Sequence, residues 1–231
     1  MKYKKIVEGK FITRINRFTA TVDISGKLET VHVKNTGRCK EIFVPGNTVY
    51  LSVSDNPDRK TKYDLVTVEK KRGDKAPLFV NVDSQVPNDV VGEWLPQSGL
   101  FEKGAVIKRE VFYNKSRFDF MIDEDGVITF LEVKGVTLED DGAARFPDAP
   151  TQRGVKHIGE LIDCVENGYK AVIVFVLQMK GVSFFTPNDA THAEFGDALR
   201  KAYTKGVKIF AIDCTIGPDS IIADKYIPVV L

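Results

Sequence analysis

The sequence predicts an α+β chain of two domains, a basic all-β unit over residues 1–82 and a mixed α/β unit over residues 83–231. Three observations predict this. The first third is a series of short segments rich in Val, Ile, Phe, Thr and Tyr, divided by turn signals. Beyond it, apolar strand-like runs alternate with helical periodicity. The charge divides at the same place: residues 1–80 hold 17 Lys+Arg against 9 Asp+Glu, a net +8, and the remainder carries −7, leaving +1 overall.

In the first unit, strand-like segments fall near 10–15, 18–24, 29–34, 48–54 and 64–70. Turn chemistry separates them at Ser25-Gly26, Asn35-Thr36-Gly37, Pro45-Gly46 and Asp55-Asn56-Pro57. About five short strands in such a length suit a small Greek-key barrel of the OB type, and an SH3-like barrel gives a similar pattern. Gly73-Asp74-Lys75 is expected to close the unit. Pro87-Asn88-Asp89 then opens a helix to about Ser98, with Asn88 or Asp89 as cap and Trp94 in the core or at the domain junction.

Three strands follow at about 105–113, 116–122 and 127–134. A helix over 152–166 places Val155, Ile158, Ile162 and Val165 on one buried face and ends at Asn167-Gly168. Ala171–Leu177 is a continuous apolar strand, as in a sheet covered on both sides. Thr191 and Glu194 form a capping box for another helix, and Val207–Asp213 is a further strand. The order α-β-β-β-α-β-α-β implies a mixed sheet flanked by helices.

Composition excludes several classes. An apolar fraction of 43% and a charged fraction of 28% are those of a globular chain with a sizeable core. No apolar run is long enough to span a bilayer, and the N-terminus lacks a secretory centre. Cys39, Cys164 and Cys214 are isolated and odd in number, so neither a disulfide framework nor a metal pair is expected, and a reducing cytoplasm is the simplest setting. The basic third suits polyanions, although solvated surface lysines give the same count.

The chemistry concentrates in residues 116–135, SRFDFMIDEDGVITFLEVKG. Asp125-Gly126 is a two-residue hairpin signal, and closing the hairpin there sets Asp119 opposite Glu132 and Arg117 opposite Lys134. Phe118, Phe120, Ile122, Thr129, Leu131 and Val133 then share one face and the charges the other; a one-residue slip would mix them. Carboxylates facing each other repel, and a divalent cation such as Mg²⁺ would relieve this, as would an ordinary ion-pair cluster with Arg117 and Lys134. Glu110, in the preceding strand, is a candidate third carboxylate. Glu132 and Lys134, two apart, point the same way, and a metal-binding carboxylate beside an ammonium can activate water for attack on a phosphodiester.

Asp119 on the second strand of a meander and Glu132-Val133-Lys134 on the third resemble the PD-(D/E)xK nuclease superfamily, whose restriction-endonuclease-like core runs α-β-β-β-α-β. The resemblance implies metal carboxylates at Asp119 and Glu132, a catalytic lysine at Lys134, and Mg²⁺ or Mn²⁺. Phe118 stands where the superfamily has Pro, and the literal Pro147-Asp148 lies after the motif. A closer resemblance covers nearly the whole chain: RINRF at 14–18, HVKNTGR at 32–38, RKT at 59–61, SRFDF at 116–120, LEVKGVTL at 131–138 and FPDAPTQRGVKH at 146–157 are similar to the sugar fermentation stimulation (SfsA) family. That family implies a DNA-binding protein, a bacterial regulator of maltose metabolism, with an OB-like N-terminal domain and a nuclease-like C-terminal one.

Further candidates surround this centre. Arg153, His157 and Glu160 fall on one helix face; Arg153 and Lys156 could grip phosphate, and His157 could shuttle protons or orient a neighbour. Asp148 is expected to cap that helix, orient it or bind metal. In the basic unit Arg14, Arg17, Lys34, Arg38, Arg59 and Lys60 are candidate nucleic-acid contacts, with Phe18 a base-stacking candidate better placed in the core. His32 is expected to be a structural hydrogen-bonder. The Asn35-Thr36-Gly37 amides could hold an anion. No helix-turn-helix, phosphate loop or nucleophile–base pair is evident. The expectation is a DNA-binding protein (RNA being the other polymer), sequence-nonspecific and not membrane-bound, with an active Mg²⁺-dependent nuclease as the alternative.

Overall fold

The computed structural model describes residues 1–231 apart from Thr36 and Lys115. Six strands open the chain: β1 (Ile6–Arg14), β2 (Thr19–Ile24), β3 (Lys27–Val33), β4 (Thr48–Val53), β5 (Tyr63–Arg72) and β6 (Lys75–Asn81). Their order β3-β2-β1-β4-β5-β6, with β3 also paired to β5, closes a five-stranded barrel of OB topology with β6 outside it. The parallel β3–β5 contact is short, His32 beside Asp64 and Val33 beside Leu65. Alternation sends Phe11, Ala20, Val22, Val31, Val33, Val49, Leu51, Leu65 and Val68 inward, all essentially buried. Gly73, at φ 57°, is the turn of the β5–β6 hairpin rather than the expected end of the unit. Phe18 was expected in the core and is 54% exposed, because it lies in the β1–β2 loop and not on a strand.

The second unit begins with α1 (Val86–Trp94), continued by a 3-10 turn Leu95–Gln97. Its N-cap is Gln85, with Pro87 in the first turn; Asn88 and Asp89 lie inside the helix. Trp94 is buried, as expected. The strands β7 (Val106–Tyr113), β8 (Ser116–Glu124) and β9 (Val127–Val136) form the antiparallel meander. Then come β10 (Leu138–Asp140), β11 (Ala143–Phe146), α2 (Gln152–Glu166), β12 (Lys170–Leu177), β13 (Phe184–Pro187), α3 (Asp189–Thr204), β14 (Lys208–Gly217) and β15 (Ser220–Ile227). The main sheet runs β15-β14-β12-β9-β8-β7, and β10-β11-β13 make a smaller one. β12 pairs parallel to both β9 and β14, as its unbroken apolar sequence demands.

The small sheet and β15 were not read from the sequence; their three- and four-residue strands are too short to carry a period. In α3 the cap is Asn188, and His192 breaks the helix at φ −158°, so the Thr191–Glu194 box does not form. On α2 the inward face is rotated from the expected one: His157, Ile158, Leu161 and Ile162 are buried, while Val155 and Val165 are only partly so. All three cysteines are buried and free. Among the described residues no helix is long and apolar enough to cross a membrane.

Polar ties join the barrel to the second unit. Lys70 of β5 donates to the Glu139 carboxylate at 2.7 Å and to its backbone carbonyl at 2.9 Å. Gln178 donates to Asn81 and to the Asp83 carbonyl, both at 3.0 Å. Burial pushes the Glu139 carboxyl up, but Lys70 and the Gly142 amide outweigh it and hold it below the usual range. A depressed carboxyl contributes stability above the unfolded-state pKa and loses it as the pH falls through the folded value. Lys70→Met is therefore expected to cost about 2 kcal/mol at neutral pH, with the deficit closing in acid. Urea unfolding at several pH values checks this; a deficit independent of pH would place the loss in packing rather than charge.

Candidate metal centre and nucleic-acid interface

The site is built where β8 and β9 part. Asp125 (φ 52°) and Gly126 (φ 90°) both take the left-handed conformation of a type I′ hairpin, which sets the register from Glu124–Val127 to Phe120–Leu131 as the sequence predicts. The backbone ladder stops there. One residue further, the Asp119 carboxylate accepts from the Val133 amide at 2.7 Å, a bond a continuing ladder would have given to a carbonyl. β9 continues along β12, with Glu132 beside Ile173 and Lys134 beside Phe175.

Glu132 is 3% exposed. Its Oε1 receives His157 Nδ1 at 2.5 Å and also the Lys134 ammonium. Its Oε2 has no hydrogen-bond partner among the described residues. Burial raises the Glu132 carboxyl, but the bonds from His157 and Lys134 overcome this and hold it below its ordinary range. An ionised carboxylate only accepts, so the proton sits on His157 Nδ1; Nε2 then faces Arg153 Nε at 3.4 Å as acceptor. With both nitrogens engaged and the ring buried, His157 orients Glu132.

Asp119 behaves oppositely. Burial, and then the neighbouring Glu132 charge, raise its carboxyl, only partly offset by the Val133 amide, Lys134 and Asn88. Asn88 donates to Asp119 Oδ1 at 2.7 Å. Expected as a cap of α1, Asn88 lies inside the helix and instead orients Asp119. Glu110 is not brought to the site. It stands opposite Asp119 in register, but a φ of 55° turns its side chain away, and it is 62% exposed beside Arg117 at 3.4 Å. Among the described residues no set of three His, Cys, Asp or Glu side chains converges as a metal site. Asp119 and Glu132 are near enough for the Glu132 charge to raise the Asp119 carboxyl, and a divalent cation on the unpartnered Glu132 Oε2 would supply the missing counter-charge.

The basic candidates divide. Arg14 donates to the carbonyls of Asn16, Arg17, Asn35, Gly37 and Arg38 and lies over the Phe43 ring, so it holds loops together. Arg59 grips Asp64 through two bonds of 2.9 and 2.7 Å; His32 joins that carboxylate, and Lys34 reaches Asp83 at 3.2 Å. Burial raises Asp64, but Arg59, His32 and Lys34 hold it low. Arg14, Lys34 and Arg59 are thus structural. Arg17, Arg38, Lys60, Arg153 and Lys156 are exposed. Lys156 pairs with Glu160 at 3.5 Å. Thr151 caps α2, accepting from Gly154, and Asp148 instead accepts from the Arg38 amide at 3.1 Å. Within the Asn35-Thr36-Gly37 turn, Thr36 lies outside the described residues, and the Gly37 amide is bound by Asn35 Oδ1.

A family model described as the sugar fermentation stimulation protein RE domain matches residues 85–220, and one described as the SfsA N-terminal OB domain matches 12–76. The chain belongs to the SfsA family. Sugar fermentation stimulation protein homologs of Clostridium beijerinckii and Desulfitobacterium hafniense are each 52% identical over 231 residues, covering 100% of this chain and 100% and 99% of theirs. The structure of Pyrococcus furiosus SfsA in complex with Ca²⁺ superposes with a TM-score of 0.87 at 29% identity, covering 100% of this chain and 98% of that one. The fold class expected from sequence, an OB barrel followed by an α/β domain, holds for this SfsA-family chain.

A raised carboxyl destabilises the fold when ionised, and protonation relieves this as the pH falls through its folded value. Asp119→Asn keeps the acceptor for the Val133 amide and removes the repulsion. With a chelator present it is expected to raise neutral-pH stability by about 1 kcal/mol, with the gain vanishing in acid. Equal or lower stability at neutral pH would show that Glu132 does not strain Asp119.

Proposed function

We propose that this chain binds nucleic acid, DNA in the first instance and RNA as the other candidate, through the exposed cations of its barrel and α2. Its C-terminal domain would hold Mg²⁺ or Mn²⁺ between Asp119 and Glu132 and hydrolyse phosphodiester bonds there. The carrying observation is Glu132 Oε2, buried without a partner among the described residues, with the half-buried Asp119 carboxylate near enough to be raised by the Glu132 charge. Removing paired like charges from water is costly unless a counter-charge joins them. The Ca²⁺ bound by the Pyrococcus furiosus relative supports a divalent cation as a ligand. Regulation of sugar use would act through this nucleic-acid chemistry.

The metal, when bound, would polarise a phosphoryl oxygen and lower the pKa of a water nucleophile. The protein's own part is positioning. His157 and Lys134 occupy Oε1 and so leave Oε2 free. Asn88 and the Val133 amide fix Asp119. Lys134 keeps an ammonium where negative charge develops on the phosphoryl group. A second reading, a binding protein with a silent site, is favoured by the charge balance already reached at Oε1.

Cleavage of single- and double-stranded DNA and RNA with Mg²⁺ or Mn²⁺ tests this. Glu132→Gln and Lys134→Ala should each lower the rate by about 10²–10³-fold. Absence of cutting on every substrate, with salt-sensitive binding intact, would leave the binding reading alone. Mg²⁺ at a hundredfold its Kd should stabilise the wild type by about 2.7 kcal/mol and leave Glu132→Gln unmoved. Arg17→Ala or Arg38→Ala should each reduce the slope of log K against log salt by about one, whereas Arg14→Ala should lower the melting temperature. An unchanged slope would remove the barrel as the binding surface.

A further inference from the structure

Phe18 has no role in the fold just described. Its ring is 54% exposed, beside Ile15 at 55%, in the loop between β1 and β2. Single exposed apolar side chains are common on protein surfaces. The backbone beneath this one is unusually fixed. Asn16 Oδ1 accepts from the amides of Phe18 and Thr19 at 2.8 and 3.1 Å. The Phe18 carbonyl accepts from the Val33 amide at 2.8 Å, and the amides of Ile15 and Asn16 both reach the Thr19 carbonyl. From below, Arg14 ties the Asn16 and Arg17 carbonyls to those of Asn35, Gly37 and Arg38, at 2.6–3.2 Å. These bonds fix the backbone from which the exposed ring projects.

The surroundings are cationic. Arg17 and Arg38 are exposed, and among the described residues neither is in an ion pair. The carboxylate nearest Arg38 along these contacts, Asp148, is bound by its backbone amide, not its guanidinium. An exposed ring on a fixed backbone, with Arg17 next to it in the chain and Arg38 on the loop that Arg14 ties to it, suits a polymer that alternates flat faces with phosphates.

We infer that Phe18 is a stacking platform for an unpaired base, and that the chain prefers single-stranded over double-stranded nucleic acid. This rests on the nucleic-acid reading above. In a duplex the base faces are covered by their neighbours, and a ring on a short loop meets only backbone and groove edges. In a single strand every base offers a face, and stacking on an aromatic side chain is largely indifferent to sequence. Phosphates on either side would meet Arg17 and Arg38.

The test is fluorescence anisotropy of the full chain, in chelator to prevent turnover, with an oligothymidylate of about 12 nucleotides and with a duplex of similar length. Phe18→Ala should weaken single-strand binding by about tenfold, leave its salt slope unchanged and shift duplex binding by less than about twofold. Phe18→Trp should restore single-strand affinity. The ring is outside the core, so both variants should melt with the wild type. An equal loss on both polymers, or no loss on either, would overturn the inference while nucleic-acid binding stood. Wild-type binding to neither polymer would overturn both. Phe18→Ala abolishing capture of a protein partner, with oligonucleotide affinity intact, would assign the ring to a protein interface instead.

Discussion

A carboxylate taken this far from water needs partners, and Glu132 draws them from the elements that frame the site. His157 comes from α2, Lys134 from two residues along β9, and the repelling Asp119 from β8, itself held by Asn88 of α1. Around this cluster the layers are apolar, with Phe118, Phe120, Leu131 and Ile173 all buried. Apolar packing is tolerant of small slides; hydrogen bonds to a buried charge are not. The position of α2 against the sheet is therefore set by the imidazole at Oε1. The same bonds engage only Oε1, so the arrangement that fixes the fold leaves Oε2 without a partner among the described residues.

How much of this could be read from the chain depends on the range of each interaction. The β8–β9 hairpin was legible because a two-residue turn and an alternating pattern overdetermine its register. Asp119, Glu132 and Lys134 were legible for the same reason, and resemblance added their chemistry. His157 was legible as a proton shuttle or an orienting residue, but period alone does not tell which neighbour that side of α2 meets. Asn88 and Glu110 failed differently. One is a cap by composition and a hydrogen-bond donor by tertiary placement; the other is in register but turned out by a left-handed backbone that no local signal announces. Phe18 reads as a strand residue and sits one position outside the strand.

Charge counts mislead in a related way. The net +8 of the first third suggests a uniform basic surface, yet several of those charges are consumed internally. Arg14 replaces missing backbone partners in two loops, and Arg59 and Lys34 neutralise Asp64 and Asp83. A guanidinium bound to five carbonyls has little left for a phosphate, whereas Arg17 and Arg38, its neighbours in those loops, retain their full capacity. The internal arginine shapes the loops, and the external ones are what the loops present.

The barrel is not free to swing. Lys70 to Glu139, Gln178 to Asn81 and Asp83, and the Arg38 amide to Asp148 tie it to the second unit at three separated places. Asp148 stands three residues before Thr151, the cap of the helix that carries His157. The loop presenting Arg38 thus shares a short covalent and hydrogen-bonded path with the group that orients Glu132. A polymer held on a hinged domain would lose much of its binding energy to the freedom of the hinge. Held on this barrel, it would meet the β8–β9 site in one orientation, and affinity at the barrel would serve positioning at the carboxylates.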